Sequence, residues 1–194
     1  MKRMLLLALA GALVLGLSAV AVQAHVGTPV RDDGAQATCA ATGAGTTQGA
    51  DDNAPGDHQG TAGDDDERGT AGDDVEKGGA GDDDTAGEAG DDDLCGDAGD
   101  DHLSGGSGDD QLSGGPGDDV ESGGAGDADI RGDAGDDRIS GGPGADLILA
   151  GAGNDRIFAR DGRRDRISCG SGDDTVQADR TDTIAASCEH VHRS

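Results

Sequence analysis

Aromatic side chains are all but missing from this chain, whose 194 residues include one Phe and no Trp or Tyr. With so few large apolar groups, an ordinary globular core is out of reach. Positive charge is scarce as well: 14 Lys and Arg stand against 41 Asp and Glu, a formal net charge of −27. That balance argues against nucleic acid or an anionic membrane surface as a partner. Catalytic signatures are missing too, since there is no G-x-S-x-G elbow and no H-E-x-x-H motif. A chain this acidic, with 38 Gly, is expected to be disordered without a ligand, because burial cannot offset chain entropy and self-repulsion.

What the chain does have is a period. From Gly60 to Phe158 it repeats every nine residues: GTAGDDDER, GTAGDDVEK, GGAGDDDTA, GEAGDDDLC, GDAGDDHLS, GGSGDDQLS, GGPGDDVES, GGAGDADIR, GDAGDDRIS, GGPGADLIL, AGAGNDRIF. The fourth position is Gly in all eleven units and the first in ten. The sixth is Asp in ten, Ala128 being the exception, and the eighth is Leu or Ile in seven. A fixed short period of this kind marks a stacked solenoid. Gly supplies a turn that tolerates positive φ and close approach. The seventh to ninth residues make a short strand whose alternation turns the eighth side chain inward. A hard cation such as Ca²⁺ takes six to eight oxygens, from carboxylates and main-chain carbonyls. A Gly-rich turn beside an Asp offers both.

The pattern matches G-G-x-G-x-D-x-U-x, with U aliphatic, and so resembles the RTX (haemolysin-type) calcium-binding nonapeptide-repeat family. The resemblance implies an all-β, parallel β-roll in which two nonads complete one coil and turns eighteen residues apart stack. Each Ca²⁺ would sit between stacked turns and take an Asp from each. One edge would carry Asp65, Asp83, Asp101, Asp119, Asp137 and Asp155, and the other Asp74, Asp92, Asp110, Ala128 and Asp146. Stacked neighbours give five complete sites on the first edge and two on the second, with the two sites sharing Ala128 weak or empty. Asp174 resumes the pattern later. Carbonyls of turn glycines such as Gly99, Gly108, Gly117 and Gly135 would complete the coordination. At ten times its Kd each ion contributes ~1.4 kcal/mol, so folding and ion binding are expected to be one event.

The inward positions are uneven. Leu94, Leu103, Leu112, Ile130, Ile139, Ile148 and Ile157 suit a narrow core, whereas Glu67, Glu76, Thr85 and Glu121 do not, since an unpartnered buried carboxylate is costly. Units 60–86 are therefore expected to fray. Residues 1–24 read as a secretory signal, with Lys2 and Arg3 ahead of an apolar run and Val22-Gln23-Ala24 at the cleavage point. Residues 25–59 read as a disordered low-complexity linker, 60–177 as the roll and 178–194 as a C-terminal cap. The register slips by one after Phe158, and the Arg cluster Arg156, Arg160, Arg163, Arg164 and Arg166 suits the polar end that a solenoid needs. The stretch from Asp161 to Val191 is similar to the terminal segment of secreted RTX-like proteins. Cys169 and Cys188 flank the cap and are the plausible disulfide pair, which leaves Cys39 and Cys95 to each other or to another molecule.

These features point to a secreted, extracellular or cell-surface calcium-binding protein with a structural or interaction role and no membrane insertion after signal cleavage. A calcium-stiffened adhesin or envelope spacer is the alternative. An extracellular enzyme is the weakest reading, because a roll has no deep cleft.

Overall fold

A computed structural model describes residues 58–194; residues 1–57, which hold the expected signal, nearly all of the expected linker and Cys39, lie outside them. The first eight strands are β1 (His58–Gln59), β2 (Asp66–Arg68), β3 (Val75–Ala80), β4 (Asp84–Ala86), β5 (Asp93–Ala98), β6 (His102–Ser107), β7 (Gln111–Pro116) and β8 (Val120–Ala125). There follow β9 (Asp129–Ala134), β10 (Arg138–Ser140), β11 (Leu147–Ala152), β12 (Arg156–Ala159), β13 (Arg166–Ser171), β14 (Thr175–Ala178), β15 (Thr183–Ile184) and β16 (His190–Arg193). No helix occurs among the described residues.

Odd strands form one eight-stranded sheet and even strands another, each in sequence order. Every pairing is parallel. A chain that alternates strictly between two parallel sheets is a right-through solenoid, the parallel β-roll, with about eight coils. Eight strands at ~4.8 Å spacing make each sheet about 34 Å long.

The period of nine explains this arrangement. One nonad crosses to the opposite sheet and a second returns, so residues eighteen apart lie side by side. The inward columns run His58, Glu76, Leu94, Leu112, Ile130, Ile148, Ile167, Ile184 on one sheet. On the other they run Glu67, Thr85, Leu103, Glu121, Ile139, Ile157, Val176, Val191. Leu94 to Val176 form one apolar cluster in which Leu112, Ile139, Ile148 and Ile157 have no exposure at all. The inserted residue after Phe158 is absorbed in a turn, so Ile167 still lands beside Ile148.

Residues 60–86, where fraying is expected from sequence, carry β2, β3 and β4 in register, with Glu76 and Thr85 fully buried. Residues 178–194, expected as a cap, contribute β15 and β16 to the two sheets. Cys169 is joined to Cys188, tying β13 to the last turn. Cys95 is buried and is not free.

Candidate metal centre

The sixth-position aspartates stack into two ladders at the turns. On one edge, the N–H of Asp65 donates to Oδ1 of Asp83 at 2.8 Å, and the same bond links Asp83 to Asp101, Asp101 to Asp119, Asp119 to Asp137 and Asp137 to Asp155. The other edge links Asp74 to Asp92 and Asp92 to Asp110, then Ala128 to Asp146. Asp83, Asp92, Asp101, Asp110, Asp119, Asp137, Asp146 and Asp155 are at most 2 % exposed.

The ladders run past the register slip. Asp155 donates to Asp174, and Asp174 to Oε2 of Glu189. Asp146 donates to Asp165, and Asp165 to Asp182. Asp165, Asp182 and Glu189 were not legible as ladder members from sequence, because the separations become 19, 17 and 15 residues. The only cue was an Asp two residues before an aliphatic one in DRI and DTI.

One carboxylate oxygen of each residue is used by the ladder, and the other is left over. The Oδ2 atoms of Asp83, Asp92, Asp101, Asp110, Asp119, Asp137, Asp146, Asp155, Asp165 and Asp174 are buried with no hydrogen-bond partner. A carbonyl adds to the imbalance. A Cβ placed on Gly96 would overlap Oδ2 of Asp101 and stand 2.7 Å from the carbonyl oxygen of Gly114. Gly105 has the same relation to Asp110 and the carbonyl of Gly123, and Gly132 to Asp137 and the carbonyl of Ala150. A carboxylate oxygen without a donor and a carbonyl oxygen thus both crowd the open face of one glycine. Such a pair is relieved by a proton or by a cation.

The same burial raises the pKa of these groups. Burial pushes Asp101, Asp119 and Asp155 up to about 6, with neighbouring ladder carboxylates adding to the rise and the backbone N–H bond opposing it. Asp137 and Asp146 reach about 7 for the same reason. Inside the roll, burial raises Glu67 to about 8 and Glu121 well above the usual range. Glu76 rises to about 7 by burial, held back by His58, whose Nδ1 lies 3.0 Å from Oε2.

The fourth-position carbonyls are placed differently from the first-position ones. Those of Gly99, Gly108, Gly117 and Gly135 press on the Cα face of Gly117, Gly126, Gly135 and Gly153 in the next coil, where an added Cβ would overlap the oxygen. Each of these four glycines has φ between 135 and 153°, so no side chain fits there. At the gap in the second ladder, the Ala128 methyl is buried. Asp127 points elsewhere, accepting the N–H of Ala145 at 2.9 Å.

The fifth-position aspartates, which read as solvated charge in the sequence, form a further ladder on each edge. Oδ1 of the fifth-position aspartates Asp64, Asp73, Asp82, Asp91, Asp100, Asp109, Asp118, Asp127 and Asp136 accepts the N–H of the residue eighteen later. These ladders lie at the surface and run opposite to the buried ones. Among the described residues no three His, Cys, Asp or Glu side chains gather at one point. A cation in these turns would therefore need main-chain oxygens beside its carboxylates, the donor set that suits Ca²⁺.

Stacked Gly/Asp turns with surplus buried oxygens define the class as a calcium-binding parallel β-roll. The family model of the RTX calcium-binding nonapeptide repeat matches the chain in four copies, at residues 59–94, 87–121, 96–130 and 122–157. These span half of the chain, which belongs to that family. No curated protein matches it.

Proposed function

We propose that this is a secreted protein that folds as several Ca²⁺ ions bind between its stacked turns, and that it serves a structural or interaction role. The observation that carries this is the row of partnerless, buried Oδ2 atoms from Asp83 to Asp174. In water, ten ionised carboxylates cannot be buried in this way without a counter-charge. The holders are Asp83, Asp92, Asp101, Asp110, Asp119, Asp137, Asp146, Asp155, Asp165 and Asp174, with main-chain carbonyls such as those of Gly114 and Gly123 beside them. When bound, Ca²⁺ supplies positive charge and cross-links coils. The side chains hold their place through the Oδ1 bonds, which already fix one oxygen of each carboxylate.

Secretion is supported by the signal-like residues 1–24 and by extracellular calcium, which matches the ~10⁻⁴–10⁻³ M affinities usual for external modules. The repeat itself is a structural array, and catalysis forms no part of the proposal.

The test is a calcium titration at pH 7 followed by far-UV circular dichroism, with Mg²⁺ as control. A cooperative rise of strand signal with Ca²⁺ alone is the expected result. No change up to ~10 mM, above the usual external range, would sink the reading.

A further inference from the structure

The first two units share a residue that no later unit has at its position. Both read GTAGDD, with Thr at the second position where later units have Gly, Glu or Asp. That change closes the carboxylate. Oδ2 of Asp65 accepts the Thr61 N–H at 2.5 Å and the Thr61 hydroxyl at 2.8 Å. Oδ2 of Asp74 accepts the Thr70 N–H at 2.6 Å and its hydroxyl at 3.0 Å. Each hydroxyl also accepts an N–H, from Gly63 and Gly72 respectively. From Asp83 to Asp174 the corresponding oxygen has no donor, and only at Asp182, in the last coil, does a backbone N–H (of Asp179) reach it again.

The cause is conformational. Second-position residues in the later units take positive φ: Gly79 at 110°, Gly106 at 104°, and even Glu88, Asp97 and Asp133 at 74, 70 and 69°. Thr61 and Thr70 are not among the positive-φ residues, because a β-branched side chain is a steric outlier there. The peptide before Thr is therefore turned so that its N–H meets the carboxylate, and the hydroxyl follows it.

We propose that Thr61 and Thr70 stand in for the ion, making the first two turns a metal-independent end of the array. Calcium sites then begin with Asp83 on one edge and Asp92 on the other. Asp65 and Asp74 act as internally satisfied acceptors and not as ligands. This rests on the calcium reading above, and it withdraws two of the sites that the repeat pattern alone assigns. An end closed in this way leaves Asp65 and Asp74 with their inner oxygens bonded when no ion is present.

The experiment is equilibrium dialysis of the purified chain against Ca²⁺ at pH 7, with circular dichroism to check that each variant folds at saturating calcium. The Thr61→Gly/Thr70→Gly variant should bind up to two more ions than the parent. Asp65→Asn/Asp74→Asn, which keeps an acceptor oxygen for each Thr, should bind as many as the parent, whereas Asp101→Asn/Asp119→Asn should bind fewer. An unchanged count in the Gly variant, or a loss in Asp65→Asn/Asp74→Asn equal to that in Asp101→Asn/Asp119→Asn, overturns the assignment. A parent chain that binds no calcium fails the underlying reading instead, so the two failures are told apart.

Discussion

The coils before residue 156 and those after it share one backbone and one buried ladder, and differ in the charge and the interior set beside it. Residues 58–155 hold 29 acidic side chains against four basic ones, while residues 156–194 hold seven of each. The earlier coils also bury Glu67, Glu76, Thr85 and Glu121 in their interior, where the later ones have Ile157, Ile167 and Val176. The later coils are stapled by Cys169–Cys188. Arg160 and Arg193 bond main-chain carbonyls of His192, Asp179 and Asp182. The parallel ladder of backbone hydrogen bonds is thus indifferent to charge. What differs between the two regions is the opposite charge, apolar interior and covalent staple that lie beside the same ladder.

The sharpest test of that contrast is pH in the absence of metal. The ladder carboxylates are raised in the fold, to about 6 at Asp92, Asp101, Asp119 and Asp155 and about 7 at Asp137 and Asp146, against ~3.9 for a free Asp. The folded state therefore binds more protons than the unfolded one. Metal-free stability is full below about pH 4 and is lost as pH rises through 6 to 7. Hydrogen exchange with calcium removed should show amides of 58–155 protected in acid and open at pH 7, with 156–194 keeping more of their protection. Equal loss in both regions would erase the distinction.

Opening the staple attacks the other side of the comparison. Cys169→Ser/Cys188→Ser should cost ~3 kcal/mol, read from urea unfolding in saturating calcium. The loss of exchange protection should be centred on β13, β15 and β16. A smaller change is expected from Glu121→Leu, which continues the apolar column between Leu103 and Ile139. It removes a carboxylate whose ionisation is opposed by burial, and gives up the Gly114 N–H bond at 3.1 Å. A net gain of about 1 kcal/mol is expected at pH 7, shrinking toward acid where Glu121 is already neutral. Destabilisation at pH 7 would mean that this Glu is a positive part of the interior.

Much of this architecture was legible because the period is rigid. Gly at the fourth position, Asp at the sixth and an aliphatic residue at the eighth place turn, ladder and core in a single unit, and eighteen-residue stacking follows from two sheets. The parts that escaped are those where neighbouring coils decide the outcome. A fifth-position Asp such as Asp100 looks like solvated charge until the coil above presents its N–H. Thr61 looks like a tolerated variation until its φ is known. Asp165 is hidden by an inserted residue that only the turn geometry absorbs. Glu76 looks out of place until His58 is seen beside it.

The paired aspartate ladders on each edge, one pointing up the stack and one pointing down, have a consequence for how such a chain changes over generations. At each edge a coil hands one carboxylate forward and one back, so any coil can follow any other. Gain or loss of eighteen residues inside the repeat leaves both ladders joined and both inward columns aligned. Gain or loss of nine would exchange the two sheets for everything downstream and pair unlike columns. Length in this fold is therefore inherited in whole coils.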